Sequence, residues 1–301
     1  MDEPAASDPT PSGPAASAPN TGDPTPGDLT DRRFMITGAG TGIGRATALA
    51  LAARGATLFL AGRSEARTRA AIDAISAQTG SDRLRFLPLD LADLDSVREC
   101  ARSFLATEEP LHCLVNNAGL AGRRGLTASG FEMAFGTNHV GPFLLTSLLI
   151  DRLRASAPAR VVNIASDAHM GAKGIDWEAV RCPTRTRTAF SEYGISKLAN
   201  VLHAQELARR LADAHVSACS LHPGVVASDI WRRVPWPIRP LIKLRMLSPE
   251  QGARTPLHCA TAPEIAPGGY YENCTPRAPS RTATPELAAE LWRRSEEWVA
   301  A

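Results

Sequence analysis

Thr37-Gly38-Ala39-Gly40-Thr41-Gly42-Ile43-Gly44 is the stretch on which the fold of this 301-residue chain turns. It follows the apolar run Phe34-Met35-Ile36, which reads as a short buried strand. It leads into an Ala-rich helix over 43–53 that ends near Gly55. A glycine-rich bend between a strand and a helix is where a dinucleotide pyrophosphate sits. Glycine lets the backbone come close to the phosphates, and the helix start offers free N–H groups and the positive end of the helix dipole. Alone, the string also fits a flexible turn, or the nucleotide-binding turn of another family such as the methyltransferases. Its strand–turn–helix setting favours the dinucleotide.

Outward from this bend, apolar strands alternate with amphipathic helices. Strands are predicted over 57–61, 84–89, 111–116, 160–165, 216–221 and 269–272. Helices are predicted from a Ser64 cap to about 78, then over 93–106, 131–154, 192–211 and 249–260, and over 285–299 after Thr284 and Pro285. This alternation predicts an α/β protein: a doubly wound parallel sheet with helices on both faces, a Rossmann fold with right-handed crossovers. No linker divides 32–301, so a single domain is expected there. Residues 1–31 hold no Lys or Arg and no apolar run, and read as a disordered acidic tail rather than a signal peptide. No later stretch is apolar without interruption for about 18 residues, so no membrane span is expected. Two long irregular stretches, 167–190 and 223–247, interrupt the pattern, and loops of that length are commonly functional.

Charge is nearly balanced, with 33 basic and 31 acidic residues for a net +2, which gives no reason to expect nucleic acid or an anionic membrane as the main partner. Cys100, Cys113, Cys182, Cys219, Cys259 and Cys274 form no CxxC pair. Reduced thiols in a reducing compartment, the cytoplasm, are the expectation. His139, His169, His203, His215 and His222 are scattered without metal-ligand spacing, so no metal is expected.

The second strand predicts the cofactor. NAD binders place a carboxylate at its end, on the ribose 2′-hydroxyl. Here Gly62 stands there, followed by Arg63, with Arg67 one turn on. Glycine leaves room for a 2′-phosphate and arginine can pair with it, so NADP(H) is expected unless Arg63 is merely a solvated surface residue. Tyr193 and Lys197 stand four apart on one predicted helix and share a face. A neighbouring ammonium lowers the pKa of a phenol, which can then exchange a proton with a carbonyl or alcohol oxygen. The same spacing alone also describes an ordinary surface pair.

The spacing TGxxxGxG departs from GxGxxG and resembles the short-chain dehydrogenase/reductase family. Asn116-Asn117-Ala118-Gly119 resembles that family's NNAG segment, Tyr193 to Lys197 its YxxxK motif, and Pro223-Gly224 its PG pair. Asn138 and Ser166 occupy the places of its catalytic Asn and Ser, and the resemblance spans about 32–275 in order. Tyr193 to Asn200, Leu221 to Val225 and Gly269 to Cys274 resemble the retinol dehydrogenase-like branch. The resemblance implies Asn138, Ser166, Tyr193 and Lys197 as catalytic residues. It implies cofactor contacts from Gly38, Thr41, Gly42, Ile43, Gly44, Arg63, Asp90, Leu91, Asn117, Ala118, Gly119, Tyr193, Lys197, Pro223 and Gly224, with Asp90 near the adenine and Lys197 on the nicotinamide ribose. It implies that Ser166 hydrogen-bonds the substrate oxygen, that Asn138 supports a water path to Lys197, and that dimers or tetramers form.

Stretch 223–247 mixes apolar residues (Val225, Ile230, Trp231, Trp236, Leu241) with Arg232, Arg233, Arg239, Lys243 and Arg245. It reads as a lid over a bulky lipophilic substrate, or as an amphipathic face for a membrane or a partner subunit. The expected activity is NADP(H)-dependent interconversion of a hydrophobic small-molecule alcohol and carbonyl. A non-catalytic NADP(H) sensor, or an epimerase or dehydratase, are the alternatives.

Overall fold

The computed structural model describes residues 27–226 and 246–300. Strands β1 (Arg33–Thr37), β2 (Thr57–Gly62), β3 (Leu84–Pro88), β4 (Cys113–Asn116), β5 (Ala159–Ile164), β6 (Val216–His222), β7 (Tyr270–Glu272) and β8 (Thr275–Arg277) form one sheet. Their order is β3-β2-β1-β4-β5-β6-β7-β8. All neighbours pair in parallel except β7 and β8. The chain runs outward from β1 to β3, then crosses back to lay β4 on the other side of β1. In such sheets ligands bind beyond the carboxyl ends of the strands at this switch point, which lies here between Thr37 and Asn116.

The strands are buried on both sides, and successive residues face opposite layers. Phe34, Ile36, Leu58, Leu60 and Val115 face one apolar layer, completed by helices α1 (Gly42–Ala52), α2 (Glu65–Thr79) and α7 (Pro249–Thr261). Met35, Phe59, Ala61, Leu114 and Val161 face the other. That layer holds α3 (Leu94–Leu105), α5 (Gly141–Ala155), α6 (Phe190–Arg210) and α8 (Pro285–Ala300). In α3, Val97, Cys100, Ala101 and Phe104 recur at the spacing of one helix face and are buried together. Ser64 caps α2 by accepting from the Arg67 N–H, as its sequence predicts.

Three expectations need correction. The helix predicted over 131–154 begins as the three-residue α4 (Met133–Phe135) and passes through a π-helical turn, Gly136–Val140, before α5. Apolar periodicity carries no signal for the one-residue insertion of such a turn, which occurs often at functional sites. Met133–Ala155 is long and apolar enough to cross a membrane by length and composition, and 72% of its apolar window lies inside the fold, as a core helix does. Second, the sheet continues beyond 269–272 into the antiparallel β8. Its two-residue turn, Asn273 and Cys274, has φ of 50° and 63°, the left-handed pair of a type I′ hairpin. A three-residue exposed strand with Pro276 at its centre has no readable pattern. Third, residues 27–31, read as the end of a disordered tail, are structured. Leu29 is buried and its N–H donates to the Arg54 carbonyl at 2.8 Å, while Arg54 Nε donates to the Gly27 carbonyl at 3.0 Å.

Leu29→Ala should therefore destabilise the fold by about 2 kcal/mol, the low end for a buried leucine. The denaturant midpoint checks this. An unchanged midpoint is what a tail extending to residue 31 would give.

Candidate functional site

The bend after β1 is locked from below. The Thr37 hydroxyl oxygen accepts from the N–H groups of Asn117 at 3.0 Å and Ala118 at 2.9 Å. The Asn117 amide returns a bond to the Thr37 carbonyl at 2.7 Å. Gly38 has φ +71°, and a Cβ there would stand 2.9 Å from the Ala118 Cα, so this close approach admits only glycine. Above the bend the surroundings change. Gly42 has φ +56° and a Cβ on it would meet nothing within 4 Å. Thr41 precedes α1 without a side-chain cap bond, and the first turn of α1 carries no acidic residue. An open cradle at an uncapped, uncompensated helix start fits a pyrophosphate.

Beside it, the NNAG segment meets the motif on α6. A Cβ on Gly119 would lie 3.2 Å from Asn138 Oδ1 and 3.4 Å from Lys197 Nζ, which places the three at one point. Asn138 sits on the π-helical turn, almost fully buried. Its Oδ1 accepts from the Leu120 N–H at 2.8 Å, and its Nδ2 donates to the Leu120 carbonyl and the Ser196 hydroxyl, both at 2.9 Å. Lys197 Nζ donates to the Ile164 carbonyl at 2.7 Å, and burial pushes its pKa down to about 7. Tyr193 lies one turn earlier on the same helix, also buried, with its ring centroid 5.7 Å from Lys197 Nζ.

The electrostatics differ from expectation. The sequence predicts that the ammonium lowers the phenol's pKa. Instead burial raises it, and the lowering contribution comes from a hydrogen bond with the Ser166 side chain. The reason is geometric: Lys197 is anchored on a strand-end carbonyl rather than on the phenol. Ser166 lies two residues beyond the end of β5 and accepts from the Ala168 N–H at 3.2 Å. Tyr193, Ser166, Lys197, Asn138 and Gly119 are thus brought together at the carboxyl ends of β4 and β5.

The cofactor candidates spread along the same edge. Arg63 Nη1 stands 3.8 Å from Asp90 Oδ2 as a loose, largely exposed pair. Asp90 Oδ1 accepts from the Ala92 N–H at 3.0 Å, and Leu91 is buried. Gly224 lies beyond β6 with φ +85°, packed so closely that a Cβ would stand 2.4 Å from a Leu247 methyl. Residues 227–245, which hold most of the expected lid, lie outside the described residues. Asp167, His222 and Glu272 gather potential ligand atoms within 4.8 Å of one another. Arg277 reaches both carboxylates, so the chain itself supplies the positive charge there.

The two serines flanking Tyr193 differ from their sequence reading. Ser196 reads as a packing residue, yet its hydroxyl donates to the Tyr193 carbonyl at 2.7 Å and receives the Asn138 amide. Its place three residues after Tyr193, on the same helix face, was the available signal. Ser191 reads as the helix start, but α6 begins at Phe190 after Ala189, a buried residue at φ +55°. A left-handed alanine leaves no mark in sequence.

Residues 32–236 match the family described as short chain dehydrogenase. The chain is 44% identical over 273 residues to retinol dehydrogenase 12 of Mus musculus, covering 87% of this chain and 84% of that one. A crystal structure of an uncharacterized protein from Mycobacterium Paratuberculosis superposes with a TM-score of 0.73 at 32% identity, covering 91% of this chain and 96% of the other. An active-site complex of Pseudomonas aeruginosa RhlG with NADP gives a TM-score of 0.66 at 26% identity, covering 81% and 94%. The chain belongs to the short-chain dehydrogenase/reductase family of oxidoreductases. Within it, the chain stands on the retinol dehydrogenase-like branch.

Burial of Lys197 has a consequence for stability. Its folded pKa, about 7, lies below the unfolded value of 10.5, so the unfolded chain binds more protons between them. Stability should therefore rise with pH from about 7 toward 10 through this residue. Subtracting the pH–stability curve of Lys197→Met from that of the wild-type protein, both without cofactor, isolates the effect. A difference that is flat or falls over that window would contradict it.

Proposed function

We propose that this oxidoreductase interconverts an alcohol and a carbonyl with NADP(H), Tyr193 being the proton donor or acceptor. The observation that carries this reading is the buried Tyr193 phenol, one helical turn from Lys197 and close enough to the Ser166 side chain for that side chain to pull its pKa down. When bound, the nicotinamide gives or takes the hydride. The remaining work falls to the chain. Tyr193 Oη holds the proton that passes to or from the substrate oxygen. The Ser166 hydroxyl steadies charge on that oxygen and, through its bond, eases loss of the phenolic proton. Lys197 keeps one N–H on the Ile164 carbonyl and offers the rest of its ammonium to the ribose hydroxyls. Asn138 holds the Leu120 backbone beside Lys197 and supports a water path to it. The bend from Gly38 to Gly44, with Thr41 and Ile43, receives the pyrophosphate. Asn117, Ala118, Gly119, Asp90, Leu91, Pro223 and Gly224 line the nucleoside and nicotinamide edges.

The choice of NADP(H) rests on Gly62 and Arg63. Gly62 brings no carboxylate to this strand end to repel a 2′-phosphate, and a Cβ there would stand 3.0 Å from the Thr68 hydroxyl. Arg63 is exposed and only loosely paired, and a 2′-phosphate would compete well for it. The NADP complex among similar structures supports this choice. A lipophilic substrate is supported by the exposed Phe190, whose ring centroid lies 5.9 Å from that of Tyr193, and by the exposed Val225. The retinol dehydrogenase relatives point to the same class. Unpaired cysteines support a cytoplasmic, reducing location.

The test is NADPH oxidation with acetaldehyde, decanal and retinal. Decanal or retinal should be turned over, and Tyr193→Phe should lower kcat about a hundredfold or more while leaving NADPH affinity within about twofold. Arg63→Ala should erode the preference for NADPH over NADH by about tenfold. Phe190→Ala should raise KM for decanal and retinal several-fold and leave acetaldehyde unchanged. Wild-type turnover by Tyr193→Phe, or reduction of none of the three aldehydes, would overturn the assignment.

A further inference from the structure

The serine that meets Tyr193 is set by a short turn, and that turn is held from the far end of the chain. The 3-10 turn Asp167–Gly171 follows Ser166, and its Ala168 N–H donates to the Ser166 hydroxyl oxygen at 3.2 Å. It also lies hard against α6: a Cβ on Gly194, next to Tyr193, would stand 2.9 Å from the Ala168 carbonyl oxygen. Where this turn sits therefore decides where the serine hydroxyl points relative to the phenol.

Four contacts from 270–282 fix it. Tyr270 Oη donates to Asp167 Oδ1 at 2.8 Å. Arg277 Nη1 donates to both Asp167 oxygens, at 3.1 and 3.3 Å. The Ser280 N–H donates to His169 Nε2 at 3.1 Å, and Thr282 Oγ1 donates to the Ala172 carbonyl at 3.0 Å. His169 in turn bonds through Nδ1 to the carbonyl of Ser166 itself, at 2.7 Å. A carbonyl can only accept and a backbone N–H can only donate, so one neutral tautomer satisfies both: Nδ1 carries the proton and Nε2 is bare. The imidazole is fully buried and meets the Tyr270 ring edge-on at 4.7 Å, which leaves it no other arrangement. None of these bonds touches Tyr193 or Lys197.

We propose that the segment 270–282 is the positioning element for the Ser166 hydroxyl, with Tyr270 and neutral His169 as its positioning residues. The proposal rests on Ser166 acting in the reaction as read above. It assigns a task to the β7–β8 hairpin and to the chain that follows it. The hairpin sits at the edge of the sheet and contributes no group to the reacting atoms. Its side chains reach back across the ends of β5 and β6 to the turn that carries the serine.

A double-mutant cycle separates positioning from general damage. Tyr270→Phe keeps the ring and removes one hydroxyl, and His169→Leu removes both imidazole bonds. Each should lower kcat for the best aldehyde of the panel by about tenfold while NADPH affinity, read by fluorescence, stays within about twofold. His169→Asn, whose amide can donate where Nδ1 did, should recover most of the loss. In a Ser166→Ala background the same substitutions should cost less than about twofold, because the group they position is gone. Equal losses in both backgrounds, or no loss with Ser166 present, would overturn the proposal. If His169→Leu does not fold, Tyr270→Phe alone decides. Should Ser166→Ala itself turn over like the wild type, the catalytic reading of that serine fails, a different result from failure of the hairpin to position it.

Discussion

A fully buried ammonium bonded to the end of a strand is the constraint around which this site is arranged. Lys197 Nζ and Asn200 Nδ2 both donate to the Ile164 carbonyl, at 2.7 and 3.1 Å. Asn163 Nδ2, one residue before, donates to the Asn200 carbonyl at 3.2 Å. Helix α6 is thereby stitched to the carboxyl end of β5, two residues short of Ser166. A buried amine left without a hydrogen-bond partner is costly, so this stitch holds α6 against the strand end. It fixes the meeting of Tyr193, one turn up the helix, with Ser166, just past the strand.

The same economy of backbone contacts joins the reacting groups to the phosphate bend. Thr37 ends the central strand and receives two N–H bonds from the NNAG segment. That segment continues to Gly119, packed against Asn138 and Lys197. The path from the helix start that would hold the pyrophosphate to the helix that carries the phenol therefore runs through four residues of loop, held at both ends by hydrogen bonds. Rigidity of this kind favours chemistry that depends on placement of a proton against a hydride acceptor.

Much of this was legible in the sequence, for identifiable reasons. Strands buried on both faces leave uninterrupted apolar runs, and Phe34-Met35-Ile36 is one. Glycine positions with no tolerance for a side chain, such as Gly38, appear as a fixed spacing. The i, i+4 pair of Tyr193 and Lys197 follows from helix geometry. What was not legible depends on contacts made across long sequence separations. The π-helical turn under Asn138 has no periodic signature. Tyr270 and Ser280 reach Asp167 and His169 across more than a hundred residues, and only the assembled sheet brings them together. The partner of the Lys197 ammonium was hidden for the same reason: spacing placed it on one face with the phenol, but the Ile164 carbonyl that accepts from it belongs to another element.

A crystal structure of the chain with NADP+ bound tests the central claim most directly. Tyr193 Oη and Ser166 Oγ should lie about 3 Å apart beside the nicotinamide ring, with Lys197 Nζ bonded at once to the Ile164 carbonyl and a ribose hydroxyl. A cofactor seated elsewhere than on the Gly38–Gly44 bend, or a nicotinamide remote from the phenol with Lys197 bonded to no part of the ribose, would contradict it.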